Sequence, residues 1–449
     1  MAEVVFSDKP LTINSLKKSP SIGAAICCYG FKGIMAVVHG AQGCSAYPKT
    51  ILIEHFKEPV PITNTALQET DVVFGPDSVK SAILNLLRSD PSPEMIAILT
   101  SAMVECRGDD IEGSIKSFKL ENPEFATFPI FHVSTPDFDG GLQLGFEKAL
   151  CSIVSNFVKE IEEKKENLIT LLCGVSLTPG DVEEIKSFIK SFGFDVIAIP
   201  DLADSLIGRF YSGIYYPYTV GGTTVEDIKM AGSSSFAIAV GASTISAAKL
   251  LNEKTGVPLK YFPSLSTYKE VDRLVELLYS IRGFVPEQIK RDREIMQDTL
   301  ADTHFYLNRK RFAVAAIPEV VYTISDFISS VGGEVVAALA SENKEELNET
   351  FAKKVFIGDM EDFQILCKET EPHIIFGSSH LHLMEEELGI PLIRCDFPIY
   401  DRVGYSLKRK VCYRGITEFL FDVSNEILSH YIEKPFVVKG GRDESGSLQ

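Results

Sequence analysis

The sequence predicts three doubly wound α/β domains with mainly parallel sheets. A chain of 449 residues is long enough for about three domains. Apolar, β-branched runs of strand length recur throughout, and most are continuous rather than alternating, which is typical of strands buried on both faces. Amphipathic helical patterns separate these runs, and the alternation of strand and helix favours parallel sheets with crossover helices.

The predicted strands fall into three batches along the chain. In order, they are Met95–Thr100, Ile130–Ser134, Leu168–Val175, Asp195–Pro200, Ser235–Val240, Leu259–Phe262, Phe312–Ile317, Glu334–Leu339, Lys354–Ile357, Ile374–Gly377 and Leu392–Cys395. Amphipathic helices are predicted at Val182–Phe192 and Val271–Ile281, where apolar residues recur every three or four positions. Each batch therefore predicts one sheet with its covering helices.

Charged and amphipathic segments between the batches give the domain limits. The charged stretch KEIEEKKEN (159–167) separates the first two batches, and the amphipathic segment Pro286–His304 predicts a helix that leads into the last. The predicted parts are an N-terminal arm (1–21), three α/β domains (22–165, 166–305 and 306–435) and a tail (436–449). The tail is charged and rich in Gly and Ser, which predicts disorder.

The composition indicates a soluble globular protein and argues against several partners. Hydrophobic residues make up 45% of the chain and charged residues 24%, an ordinary balance for a protein with several cores. The net charge of -18 opposes binding to nucleic acid or to an anionic membrane surface. No apolar run is long enough to span a membrane, and the N-terminus does not resemble a secretion signal, so we expect a cytoplasmic protein.

Nine cysteines are scattered along the chain without a CxxC pair. They are Cys27, Cys28, Cys44, Cys106, Cys151, Cys173, Cys367, Cys395 and Cys412. Disulfides are not expected in a cytoplasmic protein of this size, and the spacing matches neither a zinc ribbon nor a ferredoxin. Most of these thiols are expected to fill the core, and any one that binds a metal must find its co-ligands far away in sequence.

Small and polar residues follow several predicted strands, where ligands gather in doubly wound folds. These loops are TSAMVECRGDD (100–110), VSTPDFDGG (133–141) and FGSSH (376–380). The segment HGAQGC is the most informative, because Gly40 and Gly43 let a bulky group approach the backbone before Cys44. If Cys44 begins a helix, the helix dipole favours the thiolate that an iron–sulfur cluster needs. A tight turn with a buried thiol is the alternative, and the residues alone favour it.

Two further motifs have plain structural explanations. In ECRGDD, Asp109 or Asp110 is expected to cap the following helix rather than to bind a divalent metal. GGTT lacks the lysine of a phosphate-binding loop, so Thr223 or Thr224 is expected to be a helix N-cap.

His380 and His382 stand two residues apart in the sequence. That spacing does not place both on one helical face, which favours a solvated pair over a zinc site. No serine-hydrolase, zinc-protease or kinase motif occurs. The residues alone therefore indicate a three-domain α/β protein with one suggestive cysteine.

From Ile22 onward the chain resembles the nitrogenase component 1 family. The densest match is GAAICCYGFKGIMAVVHGAQGCSAYPKTILIEHFKEPVPITNTALQETDVVFG (23–75), followed by IAILTSAMVECRGDDIEG (96–113) and VSTPDFDGGLQLGFEKAL (133–150). Further matches follow in the same order as far as CYRG (412–415), so the resemblance covers about nine-tenths of the chain. It implies three doubly wound domains, in agreement with the strand pattern.

The cysteine pattern selects a branch of this family. The catalytic β subunit that resembles this sequence supplies three cysteines to the P-cluster, and this chain has Ser19, Cys44 and Ala102 at those positions. One retained cysteine resembles the branch that acts as a scaffold for maturing the iron–molybdenum cofactor. The resemblance implies that Cys44 is this chain's ligand to a [4Fe–4S] cluster shared with a partner subunit, NifE, at the subunit interface.

The resemblance also implies the other partners. The two subunits form an α2β2 heterotetramer that works with the nitrogenase iron protein and with a donor of the cofactor precursor. No cysteine lies between Cys173 and Cys367, where the catalytic α subunit holds its cofactor, so the iron–molybdenum cofactor precursor is held mainly by NifE. No catalytic residue is assigned, and no stand-alone enzymatic activity is expected. The sequence does not distinguish a molybdenum system from a vanadium system.

Two alternatives stay open. A nitrogenase molybdenum–iron protein β chain, or a related nitrogenase-like reductase subunit, would share the fold but use more interface cysteines. A plain binding module would use the same fold for a small ligand without metal. Cys27 and Cys28 are expected in the core and Cys106 as a packed thiol, although each is close enough in sequence to Cys44 to add a cluster ligand.

Overall fold

Three parallel β-sheets form the framework of the chain. The computed structural model describes residues 2–10, 16–56, 59–65, 67, 77–208 and 216–431. Every pairing between strands in this part of the chain is parallel. Helices connect successive strands and cover the sheets, which confirms the predicted fold class. The predicted disordered tail (436–449) lies outside the described residues.

After an initial strand, β1 (Glu3–Phe6), the chain builds its first sheet from β2 (Ile34–His39), β3 (Ile62–Asn64), β4 (Met95–Thr100) and β5 (Ile130–Ser134). The helices of this part are α1 (Pro20–Tyr29), α2 (Gly43–His55), α3 (Asp77–Leu87), α4 (Ala102–Arg107), α5 (Ile111–Glu121) and α6 (Leu142–Phe157). The strand order is β3-β2-β4-β5. All residues of β2 and β4 are buried. These two central strands pair in parallel with His39 opposite Thr100, so their carboxyl ends lie side by side.

The second sheet contains β6 (Lys165–Cys173), β7 (Asp195–Ile199), β8 (Ser234–Val240) and β9 (Leu259–Phe262) in the order β7-β6-β8-β9. Its helices are α7 (Pro179–Ser191), α8 (Leu202–Leu206), α9 (Val225–Met230), α10 (Ile245–Thr255) and α11 (Tyr268–Arg282). The long helix α12 (Glu287–Leu307) then leads into the last sheet, close to the predicted bridging segment.

The third sheet is the largest and includes a strand from the N-terminal arm. Its later strands are β10 (Arg311–Ala316), β11 (Glu334–Ala340), β12 (Lys354–Ile357), β13 (Ile374–Gly377) and β14 (Leu392–Arg394). The helices are α13 (Pro318–Ser330), α14 (Met360–Thr370), α15 (His382–Leu388) and α16 (Cys412–Tyr431). The order is β1-β12-β11-β10-β13-β14, so the arm extends this sheet by pairing β1 with β12.

The three sheets share one hydrophobic core. A single cluster of buried side chains includes Val38 of β2, Leu171 of β6 and Val314 of β10. Several helices that surround this core begin with a capping box, in which the N-cap side chain and the third helical residue satisfy each other's backbone N–H groups. Thr178 and Asp181 form such a box at the start of α7. Within the described residues, no helix is long and apolar enough to cross a membrane.

Candidate functional site

In each sheet, successive strands are first added on one side of the starting strand and then on its other side. We call the gap between the two strands where this direction reverses the switch point. In doubly wound sheets, ligands bind at the carboxyl ends of the strands that flank this point. The switch points lie between β2 and β4, between β6 and β8, and between β10 and β13. The loops after these strands are therefore the first places to examine for a binding site.

The switch point of the second sheet is filled by a carboxylate of the chain itself. Glu319, in the first turn of α13, is almost fully buried. Its oxygens accept hydrogen bonds from the backbone N–H groups of Ser176 (3.0 Å) and Ser243 (2.6 Å), which follow β6 and β8. A Cβ atom on Gly174 or Gly241 would come within 2.6 Å of this carboxylate. These glycines make room for Glu319, which closes the site to an external anion.

The switch point of the third sheet is closed by buried charged groups. Lys18, from the N-terminal arm, is 5% exposed, and Asp396, just after β14, is 6% exposed. Burial lowers the pKa of Lys18, and the nearby Asp396 carboxylate opposes this shift. Burial raises the pKa of Asp396 to about 7, and Lys18 offsets part of the rise. His380, after β13, lies in the same environment, since burial and then Lys18 lower its pKa to about 4.

The switch point of the first sheet, in contrast, opens to solvent beside Cys44. The loop after β2 ends at the start of α2, and Cys44 lies in the first turn of that helix, which is the helical alternative to the tight turn that the residues alone favoured. Residues 41–43 are exposed, and the Cys44 side chain is partly buried. Met103, in the helix that follows β4, is half exposed. An external group can therefore reach the Cys44 thiol.

Gly40 allows the loops after β2 and β4 to approach each other. A Cβ atom at Gly40 would lie 2.7 Å from Ser101 Oγ and 3.5 Å from Cys44 Cβ, so close packing explains this glycine. At Gly43 a Cβ atom would meet nothing within 4 Å. The open space beside Gly43 leaves room for the bulky group that the sequence predicted near Cys44.

A buried hydrogen-bond network forms the base of this site. His39, the last residue of β2, is fully buried. Its Nδ1 lies 2.6 Å from Thr65 Oγ1 and its Nε2 lies 3.2 Å from Asp109 Oδ2. Burial raises the pKa of Asp109, but hydrogen bonds from Arg107 and His39 outweigh burial and hold this pKa below its usual value. Because an ionised carboxylate only accepts hydrogen bonds, His39 Nε2 carries the proton in this pair.

Comparison with known proteins identifies the family. The family described as nitrogenase component 1 type oxidoreductase matches residues 19–428. The chain is 37% identical to the nitrogenase iron-molybdenum cofactor biosynthesis protein NifN of a Nostoc species, over 95% of each chain. It is 35% identical to NifN of Rhizobium meliloti, over 96% of this chain and 98% of that protein. The chain belongs to the NifN group of the nitrogenase component 1 family.

Solved nitrogenase structures have the same fold as this chain. A structure described as nitrogenase Cp1 at pH 6.5 matches with a TM-score of 0.88 and 27% identity, over 94% of each chain. A second nitrogenase Cp1 chain, at pH 5, matches with a TM-score of 0.70 and 17% identity, which shows the fold alone. The predicted nitrogenase component 1 fold is therefore confirmed.

The cysteines near Cys44 in the sequence differ from one another in how far they are buried. Cys27 and Cys28 are fully buried in α1, and burial raises the pKa of both thiols, as expected for core cysteines. Cys106 is exposed, so the prediction of a packed thiol is wrong. The short helix α4 buries Val104 and leaves Cys106 outside. Within the described residues, no three His, Cys, Asp or Glu side chains are grouped to hold a metal ion.

Two of the predicted helix caps in this chain are confirmed. Asp110 Oδ1 accepts a 2.7 Å hydrogen bond from the backbone N–H of Gly113 at the start of α5. Thr224 Oγ1 accepts a 3.1 Å hydrogen bond from the backbone N–H of Asp227 at the start of α9. Asp109 does not act as this cap, because its carboxylate pairs with the network at the base of the open site.

The prediction of a solvated His380 and His382 pair is wrong. Both side chains are partly buried and have separate partners. The His380 ring packs edge-on against the ring of Tyr400, with centroids 5.8 Å apart. His382 Nδ1 lies 2.9 Å from the carbonyl oxygen of Ser379. The two rings therefore have separate partners and are not a freely solvated pair.

Sequence reasoning missed the charged residues that close two switch points. Glu319 lies two residues after the predicted strand Phe312–Ile317, with Pro318 between them. A charged residue so close to a strand end could have indicated a role at the sheet edge. Lys18 had no comparable signal, because its buried position depends on how the N-terminal arm crosses to the third sheet. Buried charged residues fill the switch points of the second and third sheets. Of the three switch points, the one beside Cys44 is therefore the one that opens to solvent.

Proposed function

We propose that this chain is one subunit of the scaffold complex on which the precursor of the nitrogenase iron–molybdenum cofactor is matured. Its relatives at 35–37% identity are named for the biosynthesis of that cofactor. In the proposed complex it pairs with NifE in an α2β2 heterotetramer, with the nitrogenase iron protein and a precursor donor as further partners. Cys44 is its ligand to a [4Fe–4S] cluster shared with NifE at the subunit interface.

The observation that carries the proposal is the partly exposed thiol of Cys44 at the open switch point. The open space beside Gly43 suits a bulky group. An iron–sulfur cluster is such a group, and cysteine thiolate is its usual ligand. When bound, a [4Fe–4S] cluster supplies one-electron transfer. The residues at this site therefore fit one ligand's share of a cluster.

Of the three positions where the catalytic β subunit has cysteines, this chain keeps a cysteine only at Cys44. Ser19 is the N-cap of α1, where its Oγ accepts a hydrogen bond from the backbone N–H of Ser21. Ala102 has no ligating atom in its side chain. Because the described residues hold no group of three His, Cys, Asp or Glu side chains that could bind a metal ion, we expect the remaining ligands to come from another chain, which supports a cluster shared with NifE.

A small central cavity supports assigning the cofactor precursor mainly to NifE. The cavity lies where the three sheets meet, and Leu142, Ser176 and Asp396 are among the residues that line it. Its volume is about 40 Å³, which is room for about one water molecule. A cluster of several iron and sulfur atoms needs far more space, so the precursor belongs outside this cavity.

The test is anaerobic co-purification of the chain with a candidate NifE. Iron is quantified, and electron paramagnetic resonance is recorded on the dithionite-reduced complex. We expect a stable heteromer whose [4Fe–4S] signal is lost in Cys44→Ala. Cys151→Ala serves as the matched control, because Cys151 is also a partly buried free cysteine. Unchanged iron in Cys44→Ala would reject the ligand role.

A nitrogenase molybdenum–iron protein β chain, or a related reductase subunit, is the second candidate. The TM-score of 0.88 to a nitrogenase structure favours it. P-cluster-type iron in the purified complex would support this candidate over the scaffold. An iron-free monomer would instead favour a module that binds a small ligand without metal.

A further inference from the structure

Ser101 carries a buried hydroxyl that has no hydrogen-bond partner in the described part of the chain. It is the N-cap residue of α4, but its side chain makes no capping hydrogen bond. The residue is 8% exposed, so water does not readily replace the missing partner. Because buried hydroxyl groups are nearly always paired in native proteins, the unpaired Ser101 hydroxyl indicates a partner beyond the described residues.

The Ser101 hydroxyl and the Cys44 side chain both lie beside Gly40. The Cβ position of Gly40 is 2.7 Å from Ser101 Oγ and 2.9 Å from Ser101 Cβ, so the oxygen leads towards Gly40. The Cβ atom of Cys44 is 3.5 Å from the same position. Ser101 and Cys44 are therefore close neighbours at the first sheet's switch point, packed against the same glycine.

Neighbouring polar side chains already have partners within the chain. Thr100 Oγ1 donates to the Glu105 carboxylate and lies 3.1 Å from His132 Nε2. His39 is held by Thr65 and Asp109. Among the described residues around this edge, the Ser101 hydroxyl is thus a buried donor that still lacks an acceptor.

We propose that Ser101 donates a hydrogen bond to a sulfur atom of the cluster bound at Cys44, either the Cys44 thiolate or a cluster sulfide. This inference rests on the proposed function and adds a residue that tunes the cluster. Reduction adds negative charge that is spread over the sulfur atoms, and hydrogen bonds to these sulfurs help to set the reduction potential. A donor at Ser101 stabilises the reduced cluster more than the oxidised one and raises its potential.

The experiment compares Ser101→Ala with the wild-type chain, each purified anaerobically as the NifE complex. The midpoint potential is measured by redox titration followed by electron paramagnetic resonance. We expect a more negative potential in Ser101→Ala at unchanged iron content. Ser424→Ala is the matched control, since Ser424 in α16 also has a buried hydroxyl without a partner among the described residues. Its removal should leave the potential unchanged.

Cys44→Ala, measured in the same series, separates the two hypotheses. If Cys44→Ala loses the cluster signal and Ser101→Ala keeps the wild-type potential, the hydrogen bond is rejected and the scaffold proposal stands. Loss of iron from Ser101→Ala also overturns the inference, because a hydrogen-bond donor is not required to retain the cluster. If Cys44→Ala keeps the full signal, the cluster lies elsewhere and both proposals fail.

Discussion

The carboxylate of Glu319 accepts a 2.6 Å hydrogen bond from the backbone N–H of Ser243, and this bond joins the third sheet to the second. The backbone N–H of Glu319 donates in turn to Gln143 Oε1 (2.9 Å), at the start of α6. Glu319 therefore contacts parts of the chain that belong to all three sheets. The relative positions of the open and closed switch points depend on this buried junction.

Replacing Glu319 is expected to weaken the junction strongly. Glu319→Ala leaves the backbone N–H groups of Ser176 and Ser243 buried without an acceptor, which should lower the free energy of unfolding by about 2–5 kcal/mol. Glu319→Gln keeps one acceptor oxygen and should lose less. Urea unfolding of the chain measures both, with Glu287→Ala as control because its side chain is 88% exposed. Wild-type stability in Glu319→Ala would contradict the assigned role.

The two glycines before Cys44 are expected to respond in opposite ways to alanine. A Cβ atom at Gly40 would lie 2.7 Å from Ser101 Oγ, and such overpacking should cost about 1–3 kcal/mol. A Cβ atom at Gly43 would meet nothing within 4 Å, so Gly43→Ala should stabilise α2 by up to about 1 kcal/mol. Thermal unfolding of the cluster-free chain measures both changes. Equal destabilisation by the two variants would argue against the close approach at Gly40.

The sequence predicted buried strands well where the apolar run stood alone between turns. Met95–Thr100, Ile130–Ser134 and Leu259–Phe262 were predicted with the bounds that the structure shows. β2 was missed because Ile22–Val38 is one apolar stretch, which the chain divides into α1 and β2 with a turn at Gly33. β1 was missed because its residues are partly exposed, and pairing with β12 at the sheet edge makes them a strand.

The candidate site could be located from the sequence only in part. The glycines of HGAQGC and the family resemblance singled out Cys44, although the residues alone favoured a tight turn over the helix start that the structure shows. The partners of His39 could not be predicted, since Thr65 and Asp109 lie 26 and 70 residues away in the chain. Parallel pairing of β2, β3 and β4 brings these side chains together. The missing partner of Ser101 is likewise a property of the folded chain.

The network under Cys44 is expected to depend on the charge of Asp109. Asp109→Asn weakens the charge-assisted hydrogen bonds from Arg107 and His39, which should lower the free energy of unfolding by about 1–3 kcal/mol. Asp110→Asn is the matched control, because asparagine caps a helix about as well as aspartate. Chemical unfolding of both variants checks this. If Asp109→Asn and Asp110→Asn lower the free energy of unfolding by similar amounts, the charge of Asp109 does not stabilise the network.

Glu346 is expected to make stability depend on pH near neutrality. Burial raises its pKa to about 7, and the hydrogen bond from Gln143 Nε2 offsets part of that rise. In the unfolded chain the pKa returns to its usual value near 4.5. Between these two values the folded chain binds more protons than the unfolded chain. The free energy of unfolding therefore falls as the pH rises from about 4.5 to about 7.

Glu346→Gln removes this titrating group and keeps an oxygen that can accept the hydrogen bond from Gln143. The fall in unfolding free energy across that pH window should be shallower in the variant, and the variant should be more stable than the wild-type chain above neutral pH. Urea unfolding at a series of pH values measures the slope, with Glu345→Gln as control at an exposed neighbouring site. Buried Asp396, whose pKa is also raised to about 7, should leave part of the fall in place in the variant. A slope identical to that of the wild-type chain would mean that Glu346 is ionised in the folded protein throughout this range.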